Sequence, residues 1–180
     1  MNIKRYSASL FLLILLNCNS NRNVDQKNDN HIQEAVNTLV EESRNDSLEL
    51  YRDFIKSGKN GIPFLINAID NNKKGYLGFR DVTDQNLYFF YYNYVGLRAA
   101  YMIEFILSGS DKTRIYNYGV IVKSKNGVLQ MDTLSYPDIQ NIKSIYLKWW
   151  EKNKDKPLGI LQREWQNKNN PLKDSQYYWQ

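Results

Sequence analysis

Cys18 is the only cysteine and His31 the only histidine in the 180 residues of this chain, which sharply limits the chemistry open to it. One histidine leaves no Ser/His/Asp set, no Cys/His pair and no histidine-based zinc spacing. One cysteine makes no intramolecular disulfide and no C-x-x-C metal or redox site. The stretch SGKNG at 57–61 lacks the spacing and the following Ser or Thr of a phosphate-binding loop. No metal and no cofactor is therefore expected. Carboxylates remain. Glu104 falls on an apolar helical stretch, where a carboxylate is either paired with a base such as Arg98 or tuned for acid–base work. A pair of Glu104 with Asp81 or Asp84 would suit hydrolysis of a glycan, for which separation in space is the deciding quantity.

The setting of Cys18 indicates an address. Lys4 and Arg5 form a short positive region, and Ala8 to Leu16 follow as an uncharged apolar run. That run is about half of the ~20 residues needed to span a bilayer, so it reads as the core of a signal peptide. Leu15-Leu16-Asn17-Cys18 resembles the lipobox of bacterial lipoproteins. That resemblance implies cleavage after residue 17 and lipid on Cys18, although Asn17 stands where Gly, Ala or Ser is usual. An ordinary secretory signal with a cysteine near its end is the alternative. Removing residues 1–17 takes away Lys4 and Arg5 and no acid, so the formal charge falls from +5 to +3. The remaining surface is of mixed sign with no like-charge block, and nucleic acid is not expected as a partner. From Cys18 to about Asn30 the chain has a single aliphatic residue, Val24, and reads as a flexible tether of roughly 20 Å r.m.s. span. Residues 31–180 are a usual size for one domain.

Along that domain the apolar spacing is mostly helical. Ile32, Val36, Leu39 and Val40 share one face. Leu48, Tyr51, Phe54 and Ile55 mark a second helix, opened by Asn45-Asp46-Ser47 and stopped at Gly58. Pro63 opens a third, with Phe64, Leu65, Ala68 and Ile69 as its buried stripe. Residues 71–88, with Gly75 and Gly78, read as a long loop. The stretch NYVGLRAAYMIEFILSG at 93–109 is the strongest helix signal. The pair GIPFLINAID and VGLRAAYMIEFIL looks like HEAT-type repeats, with Pro63, Asp70, Arg98, Ala99 and Ala100 matching and about twenty residues inserted between the helices.

The period then changes to that of strands around Asn126-Gly127, a strong hairpin signal. Ile139, Ile142, Ile145, Tyr146 and Trp149 give an inward stripe for the next helix, and Pro157-Leu158 opens a last one through about Trp165. The end of the chain reads as an extended tail. The segments YLKWWEKNKDKPLGILQREW and NPLKDSQYYW are similar to the C-terminal part of small uncharacterised bacterial proteins, some of them exported. The expected class is mainly α (α+β): helical hairpins, HEAT-like in part, with one inserted antiparallel β-hairpin.

Tyr88, Phe89, Phe90, Tyr91, Tyr92 and Tyr94 are too dense for one face to bury in either regular conformation. A local aromatic core is one reading; an interface is the other. With the neighbouring residues 71–85 they form the candidate contact surface, with Arg80, Tyr91 and Tyr92 as anchors. The expectation is a lipid-anchored protein of the cell envelope, on the periplasmic or cell-surface side. Its domain binds another protein in an immunity-type, assembly or adaptor role and is not an enzyme. The alternative is a carboxylate-dependent envelope glycan hydrolase.

Overall fold

The structure, a computed structural model, describes residues 28–41, 48–80, 88–109, 121–125, 128–130 and 134–179. Cys18, Asp81, Asp84 and the Asn126-Gly127 turn lie outside them. Helix α1 covers 28–41 and buries Ile32, Ala35, Val36, Leu39 and Val40, the face its spacing predicts. It takes in residues 28–30 from the stretch predicted as tether. Helix α2, Leu48–Ser57, buries Phe54 and leaves Ile55 49% exposed. Neighbouring helix positions point about 100° apart, and the core takes Phe54 rather than both. At Gly58, φ is +52°, a conformation that ends the α-helical run. A single 3₁₀ turn, Gly58–Gly61, then leads into α3, Ile62–Ala68.

Ile62, Leu65, Ile66 and Ile69 are the buried residues of α3 and the turn after it, whereas Phe64 and Ala68, predicted as part of the buried stripe, are half-buried at its rim. The stretch predicted as a loop contains a strand. Lys74–Arg80 (β1) pairs antiparallel with Tyr88–Tyr94 (β2), in register from Lys74 opposite Tyr94 to Arg80 opposite Tyr88. The aromatic run favours extended backbone and needs a partner. Gly75 and Gly78, which suggested a loop, stand opposite Asn93 and Phe90 in that register, and a Cβ on Gly75 would come within 2.9 Å of Val95 Cγ1.

Helix α4, Leu97–Ser108, begins four residues later than its apolar pattern predicts because Asn93 and Tyr94 belong to β2. Every residue of α4 except Phe105 is buried. It packs against α2, α3 and a later helix, as befits a helix apolar on nearly every side. Its entry is tight: a Cβ at Gly96 would overlap the backbone carbonyl of Ile69.

The predicted hairpin forms from β3, Ile121–Lys125, and β4, Val128–Gln130, with Lys125 opposite Val128. Helix α5, Tyr136–Asn153, opens with a capping box of Ser135 and Asp138 and buries Ile139, Ile142, Tyr146 and Trp150. Ile145 and Trp149 are only half-buried, so Trp150, not Trp149, is the deeper ring. Helix α6, Leu158–Gln166, follows Pro157 as expected. The tail ends as β5, Tyr177–Trp179, which adds to β3 and completes a sheet of order β4-β3-β5. The protein is thus mainly helical with antiparallel hairpin structure inserted among its helices.

Candidate functional site

Glu104 sits on α4 at 0% exposure. Its partner is not Arg98. Six residues along a helix amount to about 9 Å of rise and a turn of roughly 120° away, so the two leave α4 in different directions. Arg98 Nη1 donates to Leu39 O at 3.1 Å, at the C-terminal end of α1, where a helix has carbonyls without intrahelical partners. Lys73 Nζ does the same at Glu41 O, 2.8 Å. Two cations thereby satisfy the negative end of α1.

Glu104 instead takes hydrogen bonds from three elements brought together by the fold. Tyr146 Oη on α5 donates to Oε1 at 2.6 Å, and Trp165 Nε1 on α6 donates to Oε2. Trp179 Nε1 on β5 donates to Tyr146 Oη at 3.3 Å. Burial pushes the carboxyl up to about 7, while the bonds from Tyr146 and Trp165 act in the opposite direction. Both oxygens are engaged and none of the side chain reaches solvent, so the carboxylate offers no contact to a substrate in this conformation. It is a polar joint between α4, α5, α6 and β5.

A second carboxylate, Asp138, organises the opposite kind of site, open to solvent on one side. Its Oδ2 accepts from Ser135 N at 3.0 Å and Ser135 Oγ at 2.6 Å. Its Oδ1 accepts from Lys123 Nζ at 2.7 Å and Tyr177 Oη at 2.9 Å. Partial burial alone would raise this carboxyl; the bonds from Lys123, Ser135 and Tyr177 outweigh it and hold the group at about 2. Among the described residues no cluster of three His, Cys, Asp or Glu is placed to hold a metal. His31 lies exposed on α1.

The predicted contact residues fall on the β1–β2 hairpin. Tyr91 stands opposite Leu77 and Tyr92 opposite Tyr76, while Arg80, at the end of β1, stands opposite Tyr88. Arg80 is therefore three residues, about 10 Å, along the ladder from the Leu77–Tyr91 pair. Strand alternation assigns positions 88, 90, 92 and 94 to one face and 89, 91 and 93 to the other. Tyr91 and Tyr92 do not share a face, and Arg80 is on that of Tyr92. At the base of the hairpin Asn93 and Tyr94 are both buried, and Tyr94 packs against Tyr136 with ring centroids 5.6 Å apart.

Sequence reasoning missed the joint around Glu104, because Tyr146 and Trp165 are 42 and 61 residues away. It also missed an amide-lined groove between α1 and α3, bordered by Gln33, Asn37, Asn67 and Asn71. Amides one turn apart beside an apolar stripe were the available signal, hidden by a chain rich in asparagine throughout. No helix among the described residues is long and apolar enough to cross a membrane. No known protein family, no curated protein and no solved structure matches this chain.

Proposed function

We propose that the protein is held at a cell-envelope membrane by lipid on Cys18 and that its helical domain binds another protein, in an immunity-type or assembly role. The observation that carries the binding half is the pairing of β2. In the described structure this aromatic strand is hydrogen-bonded to β1 alone, with aromatic positions on both of its faces. A single core covers one face of a two-stranded ribbon, so the other is available to a partner, and Tyr and Arg are the residue types that dominate such contacts. The anchoring half rests on Lys4, Arg5, the apolar run Ala8 to Leu16 and the position of Cys18.

The alternation of faces makes the test sharper than a double substitution. Tyr91→Ser and Tyr92→Ser are made separately in the lipidated full chain, and each is assayed for melting temperature and for partner capture from detergent-solubilised envelope. One variant should keep the parent melting temperature and lose capture; the other should melt earlier. Equal destabilisation by both, or undiminished capture by both, overturns the assignment of the hairpin as the binding surface.

A further inference from the structure

The groove between α1 and α3 has a volume of about 250 Å³. Its apolar floor is made by the buried Val36 and Val40 with the half-buried Phe64. Along α1 it is edged by Gln33 and Asn37, and along the end of α3 by Asn67 and Asn71. Two of these amides have their orientation set by neighbours. Asn37 Oδ1 accepts from Gln33 Nε2 at 3.0 Å, and Asn71 Oδ1 accepts from Lys73 N at 3.0 Å. With the oxygens so engaged, Asn37 and Asn71 have N–H groups left to donate, and Gln33 keeps its carbonyl oxygen to accept. Asp70, the one ionisable side chain lining the groove, is paired with Lys143 at 2.8 Å. The site therefore calls for a ligand that is uncharged and carries both acceptors and donors.

Size and spacing narrow the class. The volume is below the ~300–1,000 Å³ typical of small-molecule sites, which suits a chain laid along the groove over a ligand enclosed in it. Gln33 and Asn37 are one helical turn apart, about 6 Å of rise. In an extended polypeptide the backbone groups on one side recur every second residue, about 6.7 Å apart. We propose that this groove binds an uncharged extended peptide segment of a partner protein, its carbonyls accepting from Asn37 and Asn71 and its N–H groups donating to Gln33. The side chains facing inward rest on Val36, Val40 and Phe64. This site shares no residue with the aromatic hairpin, and it stands or falls independently of Tyr91 and Tyr92.

The test uses the full chain and a displayed library of random dodecapeptides. Peptides enriched on the parent protein are synthesised and titrated, each also in a form N-methylated at alternate backbone nitrogens. Asn37→Ala with Asn71→Ala should weaken binding about tenfold or more, as should N-methylation, since each removes hydrogen bonds of roughly 1 kcal/mol net. A second pair, Asn37→Ala with Asn67→Ala, leaves the turn at Lys73 untouched and guards against a folding defect. Failure to enrich any peptide, equal binding by the parent and both variant pairs, or movement of the groove's amide resonances by chitohexaose and by no peptide would each overturn the proposal.

Discussion

Tyr146 on α5 donates its hydroxyl to Glu104 on α4 at 2.6 Å, joining two helices at a point where neither side chain meets water. The polarity of the chain of bonds follows from donor chemistry. An indole N–H only donates, so Trp179 gives to Tyr146, Tyr146 gives to Glu104, and Trp165 gives to the other carboxylate oxygen. A buried carboxylate without a cation beside it is costly unless its oxygens are satisfied. Here they are satisfied by neutral donors, and the low dielectric around them still favours the protonated acid.

Stability should therefore depend on pH through Glu104. Its carboxyl titrates at about 7 in the folded protein against 4.5 as the reference value. Below about pH 4.5 both states hold the proton and the contribution is fully present. As pH rises from there towards 7 the unfolded chain releases its proton first, and stability falls by about 1.4 kcal/mol per pH unit, about 3 kcal/mol across the window. Glu104→Gln should remove that slope, with its amide N–H turned to Tyr146 and its carbonyl kept for Trp165, which cannot accept. Urea unfolding of parent and variant at pH 5 and pH 8 decides the matter; an unchanged difference between the two pH values in the variant would show that another group is responsible.

Tyr146→Phe removes the donor to Glu104 Oε1 and the acceptor of Trp179 at once. The expected cost is about 1–3 kcal/mol. Because the Tyr146 bond favours the ionised form, its loss should also move the pH dependence to higher pH. A variant that is destabilised with its midpoint unmoved would mean that the bond contributes packing only.

How much of this was legible depended on distance along the chain. Local signals were read correctly: the face of α1, Pro63 and Pro157 at helix starts, the helix that follows Ser135, and the strands on either side of Asn126-Gly127. Choices between neighbours were less secure. Phe54 against Ile55, or Trp150 against Trp149, turns on a rotation of one residue that periodicity resolves poorly. Gly75 and Gly78 punctuate a loop by residue type, yet in the fold they allow β1 to pass beside Val95 and pair with an aromatic strand. Glu104 was recognisable as a core carboxylate from its position in an apolar helix. Its partners were not, because helix numbering supplied only Arg98 and the true donors arrive from α5 and α6.

The anchor is open to a direct test. Export with lipid on Cys18 predicts that the parent chain partitions into detergent and incorporates labelled palmitate. Cys18→Ala should remain as uncleaved precursor or appear in the soluble fraction, without label. Cleavage and release of an unlabelled parent chain would instead identify residues 1–17 as an ordinary secretory signal.

Asp138 makes the opposite pH prediction at the other end of the scale. Its four hydrogen bonds gather the N-terminus of α5, β3 through Lys123 and β5 through Tyr177, so one carboxylate closes the helix cap and fastens the tail strand. With its pKa held at about 2 against a reference of 3.8, the folded state favours the ionised form. That contribution is present above about pH 3.8 and is lost as pH falls towards 2, the unfolded chain taking up its proton first. Asp138→Asn keeps the shape but offers one acceptor oxygen and introduces two donors beside Lys123 and Ser135. At neutral pH it should cost about 2 kcal/mol, in the range of a lost cap and a lost charged acceptor. It should also abolish the parent's loss of stability between pH 4 and pH 2. Amide exchange locates the effect: protection should fall at Tyr177 to Trp179 and in the first turn of α5, while α4 keeps its protection. Exchange quickening equally in α4 would show that Asp138 supports the whole domain rather than the attachment of β5.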